Sequence, residues 1–310
     1  MQPKIFSGRA NPMLGKAISD FLELESGAIT LKDFSDGEIY VRYDENIRGE
    51  DVFIIQSLAP PADNFMELLL MMDAAKRASA KRVTAVLPYY GYARQDRKDQ
   101  PRVPISAKLV ADMMVAAGAD RVITMDLHSS QIQGYFNIPF DHLYSKKVLV
   151  NAIKEMGLEN LTVLAPDIGS VPLSRSYAKQ LDATLAIIDK RRPEPNRAEV
   201  MNLIGEVEGK NVLIMDDMTD TAGTMTNAAF ASMERGALGV YSACTHGVLS
   251  GDATKRLSNS PIKHMIVTDT ITVPVEKQFE NLEIISVASV FGEAIRRIHN
   301  EESISVLFNL

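Results

Sequence analysis

Two adjacent carboxylates and the short hydroxyl-bearing turn after them have the residue types and spacing of a chemical site. Asp216 and Asp217 directly follow the apolar run 212–215, and a helical pattern begins at 224. Backbone N–H groups at the start of a helix attract phosphate. The two carboxylates can accept hydrogen bonds from ribose hydroxyls or lie next to a bound Mg²⁺. The pattern therefore favours a sugar-phosphate site over an ordinary acidic helix cap. The turn consists of Asp220, Thr221, Ala222, Gly223 and Thr224.

These residues are predicted to lie at strand ends in parallel sheets, because short apolar runs alternate with amphipathic stretches along the chain. In such folds ligands bind beyond the carboxyl ends of the strands. Strands are predicted at 52–56, 83–87, 122–125, 162–164, 185–188, 212–215, 240–244 and 265–267. Helices are predicted at 12–24, 64–78, 106–117, 145–156, 172–181, 224–235, 252–257 and 291–299.

The chain has 310 residues, enough for two α/β domains. Its halves repeat one pattern, a buried strand that ends in aspartate, at Asp126 and at Asp216. We predict two similar α/β domains, 1–143 and 144–310. The sequence leaves open whether the C-terminal helix, at about 288–304, packs on the first domain or on the second.

Composition excludes several classes of protein. The net charge of −7 argues against a nucleic-acid-binding protein. No apolar run reaches the roughly 18–20 residues that a membrane span needs, and the N-terminus lacks the features of a secretory signal. A single cysteine, Cys244, rules out an internal disulfide and fits a reducing cytoplasm. We expect it to be a buried, inert thiol.

Two basic segments are candidates for binding phosphate groups. The stretch 94–102 carries Arg94, Arg97, Lys98 and Arg102; it is either a solvated loop or a lid that closes over a polyphosphate. Lys190-Arg191-Arg192 leaves a predicted strand and is followed by proline. It is either an exposed basic turn or a cluster that neutralises a transferring phosphoryl group.

Two further motifs are weaker when taken alone. His128 and Asp167 each follow a predicted strand, and together they are candidates for a Mg²⁺ site. Mg²⁺ prefers oxygen ligands, so the residues by themselves leave this site open. The turn Phe34-Ser35-Asp36-Gly37-Glu38 combines an aromatic ring with two acids, which suit an adenine and its ribose, but it is also an ordinary Asp-Gly turn.

Taken together, the motifs resemble those of ribose-phosphate pyrophosphokinases, the synthetases of phosphoribosyl pyrophosphate. The resemblance covers nearly the whole chain. The phosphoribosyl motif alone is shared with phosphoribosyltransferases, whereas Arg94-Gln95-Asp96 and Lys190-Arg191-Arg192 are not. The resemblance implies two phosphoribosyltransferase-like domains, each a mainly parallel sheet flanked by helices. It also implies a homo-oligomer, a hexamer. The matching motifs are 34–38, 88–96, 126–128 with 131–134, 189–193 and 216–224.

The resemblance also implies an activity, in which the 1-hydroxyl of ribose 5-phosphate attacks the β-phosphorus of Mg·ATP and AMP leaves. Lys190 would be the main catalytic residue, helped by Arg192 and Arg94, and His128 and Asp167 would lie near Mg²⁺. The residues implied to bind ATP are Phe34, Asp36, Gly37, Glu38, Arg94 and Gln95. Those implied to bind ribose 5-phosphate are Arg192, Asp216, Asp217, Asp220, Thr221, Ala222, Gly223 and Thr224.

The sequence departs from the family pattern after Asp167. The family usually reads P-D-x-G-G, but here Ser170 replaces a glycine, Pro172 is new and Leu173 replaces an arginine. Under the resemblance, we expect these changes to affect contacts between subunits and regulation around Leu173 more than the chemistry.

A regulatory site is a further expectation from the resemblance. In the family, phosphate and ADP act between subunits, at an arginine of the first domain and serines near the C-terminus. Arg48, Ser303 and Ser305 match that pattern, so we expect phosphate to activate and ADP to inhibit beyond competition with ATP. The alternative is an exposed arginine and a frayed tail.

Two other functions compete with the synthetase. A phosphoribosyltransferase acting on a base needs only one such domain, which leaves the second domain and the cationic loop unexplained. A non-catalytic regulatory homologue should have lost active-site groups, whereas Arg94, His128, Asp167 and Lys190 are all present.

Overall fold

The computed structural model describes residues 2–191 and 200–307, except for the side chains of 190, 191, 200 and 201. The chain forms two compact units. The first contains the residues up to Ser145, the short segment Thr270–Thr272 and the residues from Ser286 onward. The second contains Lys146–Asp269 and Val273–Ile285. The division into domains at 143 and 144 stays a prediction.

The strands of the described residues are β1 (Lys4–Ser7), β2 (Ile29–Asp33), β3 (Ile39–Tyr43), β4 (Asp51–Ile55), β5 (Arg82–Leu87), β6 (Arg121–Met125), β7 (Phe140–Leu143), β8 (Leu161–Ala165), β9 (Thr184–Arg191), β10 (Val200–Ile204), β11 (Asn211–Thr219), β12 (Gly239–Gly247), β13 (Ile262–Thr268) and β14 (Leu282–Ile285). The α-helices are α1 (Pro12–Phe21), α2 (Asp63–Arg77), α3 (Ser106–Ala117), α4 (Lys146–Glu155), α5 (Val171–Gln180), α6 (Gly223–Glu234), α7 (Ala253–Ser258) and α8 (Ala288–His299).

The first unit is built on a five-stranded parallel sheet with the strand order β1-β4-β5-β6-β7. Side chains of a strand alternate between the two faces of a sheet. On β4, Val52 and Ile54 therefore join the apolar cluster under α2 and α3, whereas Phe53 and Ile55 join the cluster that α1 and α8 cover. The C-terminal helix α8 thus packs within the first unit, against α1.

A separate antiparallel hairpin, β2 with β3, belongs to the same unit. Its turn spans residues 34–38, and its far end is attached through Tyr43. The Tyr43 hydroxyl donates to the Met71 carbonyl of α2 at 2.9 Å, and the Tyr43 ring meets Phe6 edge-on at 4.6 Å between ring centroids. The hairpin is therefore fixed to the unit at the end opposite its turn.

The second unit is built on a seven-stranded sheet with the order β10-β9-β8-β11-β12-β13-β14, in which β10 alone is antiparallel to its neighbour. On the central β11, Val212 and Ile214 pack into one apolar cluster and Leu213 and Met215 into the other. The predicted α/β fold with mainly parallel sheets is confirmed. None of the helices in the described part of the chain has the length and apolar character that a bilayer crossing requires.

Candidate active site

The two adjacent carboxylates lie inside a strand and not in a loop after it. β11 runs to Thr219 because it stays paired with β12 on one side. On the other side its pairing with β8 stops at Ile214, so Asp216 and Asp217 lie past the last β8 pair. The prediction that this strand ends at Met215 is wrong, but the carboxylates still stand at the edge of the sheet where ligands bind in α/β folds.

The turn between β11 and α6 has an unusual backbone conformation. Ala222 has φ 62° and ψ 0°, in the left-handed region, which residues other than glycine seldom adopt. Such outliers cluster at ligand sites. α6 begins at Gly223, so its first N–H groups lack partners within the helix and can bind a phosphate. A Cβ added at Gly223 would come no nearer than 4.0 Å to Thr221 Oγ1, so the protein leaves open space there.

Neighbouring residues fix the carbonyl groups of this turn. Because each peptide unit is planar, holding a carbonyl oxygen also orients the N–H group on its opposite edge. The backbone of the turn is therefore preorganised. The carbonyl of Asp220 accepts from Ser250 N–H and that of Thr221 from Arg256 Nη1, both at 2.9 Å. The carbonyl of Ala222 accepts from the N–H and from Oγ1 of Thr226, also at 2.9 Å. No feature of the sequence indicated that Ser250 or Arg256 would hold this turn.

Two neighbouring carboxylates repel that of Asp216 beside the turn. Burial, repulsion from Asp217 and repulsion from Asp167 raise the pKa of Asp216 to about 8. The Asp217 N–H donates to Asp216 Oδ1 at 3.0 Å, which offsets part of this effect. The structure thus brings Asp216 close to two other predicted site residues of the second unit, and its raised pKa means that the carboxyl of Asp216 keeps its proton more readily than an exposed one.

We expect Asp216→Asn to stabilise the protein without ligand at pH 8. The raised pKa means that the folded state binds more protons than the unfolded chain between about pH 4 and 8, so wild-type stability falls as the pH rises through this range. The amide removes that loss and should raise the melting temperature by about 2–4 °C at pH 8, which corresponds to ~1 kcal/mol. Thermal unfolding at pH 5 and pH 8 measures the change.

The matched control is Asp252→Asn, which changes an exposed carboxylate of the same unit. It should leave the melting temperature nearly unchanged at both pH values. If Asp216→Asn melts below the wild type at pH 8, the ionised carboxylate of Asp216 does not destabilise the folded protein and this explanation is wrong.

Asp167 follows β8 and is held by the residue that departs from the family pattern. Ser170 N–H donates to Asp167 Oδ1 at 3.0 Å, and the Ser170 hydroxyl donates to the Asp167 carbonyl at 3.0 Å and to Oδ1 at 3.2 Å. A glycine at 170 would supply the backbone contact but not the hydroxyl contacts. The serine therefore fixes the carboxylate and leaves it in place as a candidate ligand.

The donors of the second unit fit a magnesium ion that is completed by water and substrate. Asp167, Asp216 and Asp217 carry hard oxygen donors, which Mg²⁺ prefers. Within the ranges 2–191 and 200–307, no three His, Cys, Asp or Glu side chains gather closely enough to form a site by themselves. Mg²⁺ commonly binds through one or two carboxylates and the phosphates of its substrate, so this arrangement suits it.

The turn of the β2–β3 hairpin presents the predicted adenine-binding residues to solvent. Phe34 is 50% exposed and meets Tyr40 edge-on at 5.6 Å between ring centroids. Phe34 N–H donates to the Glu38 carbonyl at 2.8 Å, and Gly37 closes the turn at φ 93°. Glu38 N–H donates to Asp36 Oδ1 at 3.1 Å. One face of the aromatic ring is therefore accessible to a planar ligand.

The predicted ATP-binding loop lies against the segment that follows β6. Asp96 accepts from Ser129 Oγ at 2.6 Å and from Gln131 Nε2 at 3.1 Å, and its carbonyl accepts from the Tyr135 hydroxyl. The structure thereby brings the Arg94–Gln95 stretch next to His128. Sequence analysis grouped Asp96 with the basic loop but missed this joining role.

Asp126 and His142 build the turn that carries His128. Asp126 is nearly buried, with φ 37°, and its Oδ2 accepts from Ser145 N–H at 3.0 Å. Leu127 N–H donates to His142 Nε2 at 2.9 Å, so that nitrogen carries no proton. Asp126 therefore has a structural part in this loop, whereas His128 is exposed. His128 and Asp167 belong to different units, and their sharing of one metal ion stays a prediction.

The two basic segments differ in what the structure describes. Arg97, Lys98 and Arg102 are exposed and make no ion pair or hydrogen bond with any described residue, which fits both the solvated loop and the lid. β9 continues to Arg191, opposite β10, so the prediction that it ends at Ile188 is wrong. The backbone of Lys190 lies in that strand. The Lys190 side chain and all of Arg192 lie outside the described residues.

The predicted regulatory residues all belong to the first unit. Arg48 is exposed in the segment after β3, and its N–H donates to Asn46 Oδ1 at 3.1 Å. Ser303 and Ser305 contact each other after α8, and the Ser303 carbonyl accepts from Arg297 at 3.0 Å. Regulation at these residues stays a prediction.

In the second unit Cys244 is buried, which raises its pKa to about 12 and makes it an inert thiol.

Comparison with known proteins establishes the family. The model of the N-terminal domain of ribose phosphate pyrophosphokinase matches residues 3–118, and that of the phosphoribosyl synthetase-associated domain matches residues 191–309. A ribose-phosphate pyrophosphokinase of Chlorobaculum tepidum is 56% identical over 308 residues, which cover 99% of this chain and 95% of that protein. The chain belongs to the ribose-phosphate pyrophosphokinase family. Another member, from Clostridium tetani, is 54% identical and is covered to 97% of its length.

A solved structure extends the comparison to three dimensions. The phosphoribosylpyrophosphate synthetase of Mycobacterium smegmatis superimposes with a TM-score of 0.92 at 41% identity, covering 97% of this chain and 100% of that one. The predicted fold of two tandem phosphoribosyltransferase-like domains is confirmed. The chain is thus a ribose-phosphate pyrophosphokinase-family enzyme, a transferase of nucleotide biosynthesis, and pyrophosphokinases generally need a metal ion.

Proposed function

We propose that the enzyme transfers the pyrophosphoryl group of Mg·ATP to the 1-hydroxyl of ribose 5-phosphate. The bond between the β-phosphorus and the oxygen bridging it to the α-phosphorus breaks, and a bond from the sugar oxygen to the β-phosphorus forms. The products are 5-phosphoribosyl 1-pyrophosphate and AMP. The observation that carries the proposal is the preorganised turn at Ala222, placed after Asp217 and after Asp216, whose pKa is raised by burial and by neighbouring carboxylates.

The turn and the carboxylates suit the acceptor substrate. In this proposal the N–H groups at Ala222, Gly223 and Thr224 and the hydroxyl of Thr221 bind the 5-phosphate, with Asp220 completing the turn. Asp216 and Asp217 accept from the ribose hydroxyls, which relieves their mutual repulsion. A sugar phosphate thereby offers an anion to the turn and hydroxyl donors to the carboxylates.

The first unit suits the nucleotide. Phe34 offers an exposed ring for the adenine, and Asp36 and Glu38 offer acceptors for its amino group or ribose. Arg94 and Gln95 are proposed to bind the polyphosphate, beside the loop that carries His128. Lys190 and Arg192 are proposed to stabilise the charge of the transferring group, because phosphoryl transfer demands mainly positioning and charge compensation.

His128 and Asp167 are the proposed protein ligands of Mg²⁺. When bound, the ion would neutralise phosphate charge and orient the polyphosphate for in-line transfer. The protein contributes by holding the ligand atoms of these two side chains in place. Ser170 fixes the Asp167 carboxylate, and the backbone at 126–127 fixes the loop of His128.

We expect Asp220→Ala to weaken ribose 5-phosphate binding and to leave ATP binding nearly unchanged. Asp220 lies in the proposed phosphate turn, whereas the proposed adenine site is in the first unit. The measurement is a separate titration of each substrate, with Asp252→Ala as a control that removes an exposed carboxylate of the same unit. Equal weakening for both substrates would show that the two sites are wrongly assigned.

The other candidates are less well supported. A phosphoribosyltransferase would leave the nucleotide-binding features of the first unit without a use, and a non-catalytic homologue would leave the site residues unexplained. We also propose a homo-oligomer, a hexamer as the family resemblance implies, in the cytoplasm, where a single reduced cysteine is expected.

A further inference from the structure

Glu67 is a buried carboxylate at the centre of a hydrogen-bond network in the first unit. Its side chain is 2% exposed. Arg9 N–H donates to Glu67 Oε1 at 2.7 Å, Arg9 Nε donates to Oε2, and Gln56 Nε2 donates to Oε1 at 3.0 Å. A buried carboxylate is tolerated only when it is paired and hydrogen-bonded. Both the backbone and the inner half of the Arg9 side chain are therefore held at a fixed point.

The chain on either side of Arg9 is fixed as well. Gly8 N–H donates to the Ile55 carbonyl at 2.9 Å, and Ala10 N–H donates to Gln56 Oε1 at 3.1 Å. A Cβ at Gly8 would lie 2.4 Å from Gln56 Oε1, so only glycine allows the amide of Gln56 to approach this closely. Arg9 thus has little freedom to move.

The guanidinium end of Arg9 binds the residue at the base of the hairpin turn. Its Nη1 and Nη2 donate to Asp33 Oδ2 and Oδ1 at 3.0 and 2.8 Å, a bidentate fork that also lowers the pKa of Asp33. Asp33 is the last residue of β2 and directly precedes Phe34. Residues 32–38 are all exposed. No other side-chain hydrogen bond that the structure describes joins them to the unit outside the hairpin.

We propose that Arg9 is a positioning residue that sets the location of the nucleotide-binding turn by joining Asp33 to the buried Glu67. The inference rests on the proposed function, because it takes the turn at 34–38 as the ATP site. An exposed ion pair contributes little to global stability, so the fork acts on the position of the turn and not on folding. Misplacing a binding group by about 1 Å is enough to cost a large factor in rate or affinity.

The test measures KM for ATP, KM for ribose 5-phosphate, kcat and melting temperature in Asp33→Asn and Arg9→Lys. Each variant removes the bidentate contact between residues 9 and 33. Glu67 keeps Arg9 as its partner in Asp33→Asn and keeps a cation, the new lysine, in Arg9→Lys. We expect KM for ATP to rise about tenfold in each, with KM for ribose 5-phosphate within about twofold. The double variant should be no worse than either single one, because both remove the same contact.

Two reference variants separate the outcomes. Arg42→Ala breaks another exposed ion pair of the same hairpin, with Asp44, and should leave KM for ATP unchanged. Phe34→Ala reports on the proposed ATP site itself. If Phe34→Ala raises KM for ATP and the fork variants do not, the positioning role is wrong and the site stands. If Phe34→Ala has no effect, the site assignment fails, and the inference fails with it. Equal rises in both KM values would indicate a general structural role and overturn the proposal.

Discussion

We expect Lys190→Ala to slow turnover by several orders of magnitude with the fold intact. Removing one contact to charge that develops in a transition state typically costs ~10²–10³-fold, and a cation at the transferring phosphoryl group costs more. The fold should survive because Lys190 contributes backbone pairing between β9 and β10, which alanine retains. Steady-state turnover together with a thermal unfolding curve measures both parts of this expectation.

The control is Lys179→Ala, which removes an exposed lysine from the last turn of α5 in the same unit. Its turnover should match the wild type, so that a general loss of positive charge is separated from the loss at 190. Turnover of the 190 variant within a factor of a few of the wild type would remove Lys190 from the mechanism.

Removal of divalent metal is expected to abolish activity, and Ca²⁺ should not fully restore it. Ca²⁺ has longer and less regular oxygen contacts than Mg²⁺ and does not hold a polyphosphate in the same geometry. The measurement is product formation in excess chelator, followed by addition of Mg²⁺ or Ca²⁺. Metal binding at the second unit has a separate readout, because a cation beside Asp216 should lower its raised pKa and release a proton.

The control for the metal experiment is thermal unfolding of the chelated protein, which should show that it remains folded. Full activity in excess chelator would contradict metal-dependent pyrophosphoryl transfer. Equal activity with Ca²⁺ would contradict the role proposed for the geometry of the metal.

The parts of the fold that depend on local pattern could be predicted from the sequence. The runs 52–55 and 212–215 are apolar on both faces of a strand, as a buried parallel strand requires. The residue types after the second run predict the phosphate turn. The boundaries of α3 were predicted without error, because its Gly118 adopts φ 110° and stops the helix.

The parts that depend on distant partners could not be predicted. β11 extends through Asp216 and Asp217 because β12 continues beside it, and no local pattern of two acids indicates a strand. The hairpin strands β2 and β3 are only partly buried, so their apolar signal is weak. Likewise the contact of Arg9 with Glu67 joins residues far apart in sequence, and neither residue type at its own position predicts the other.

The most direct test of the account is incubation of the purified chain with Mg·ATP and ribose 5-phosphate, with AMP and 5-phosphoribosyl 1-pyrophosphate measured together. We predict that the two products form in equal amounts and only when both substrates are present. The absence of AMP, together with nucleotide formed from a free base and 5-phosphoribosyl 1-pyrophosphate, would contradict pyrophosphoryl transfer and identify a phosphoribosyltransferase instead.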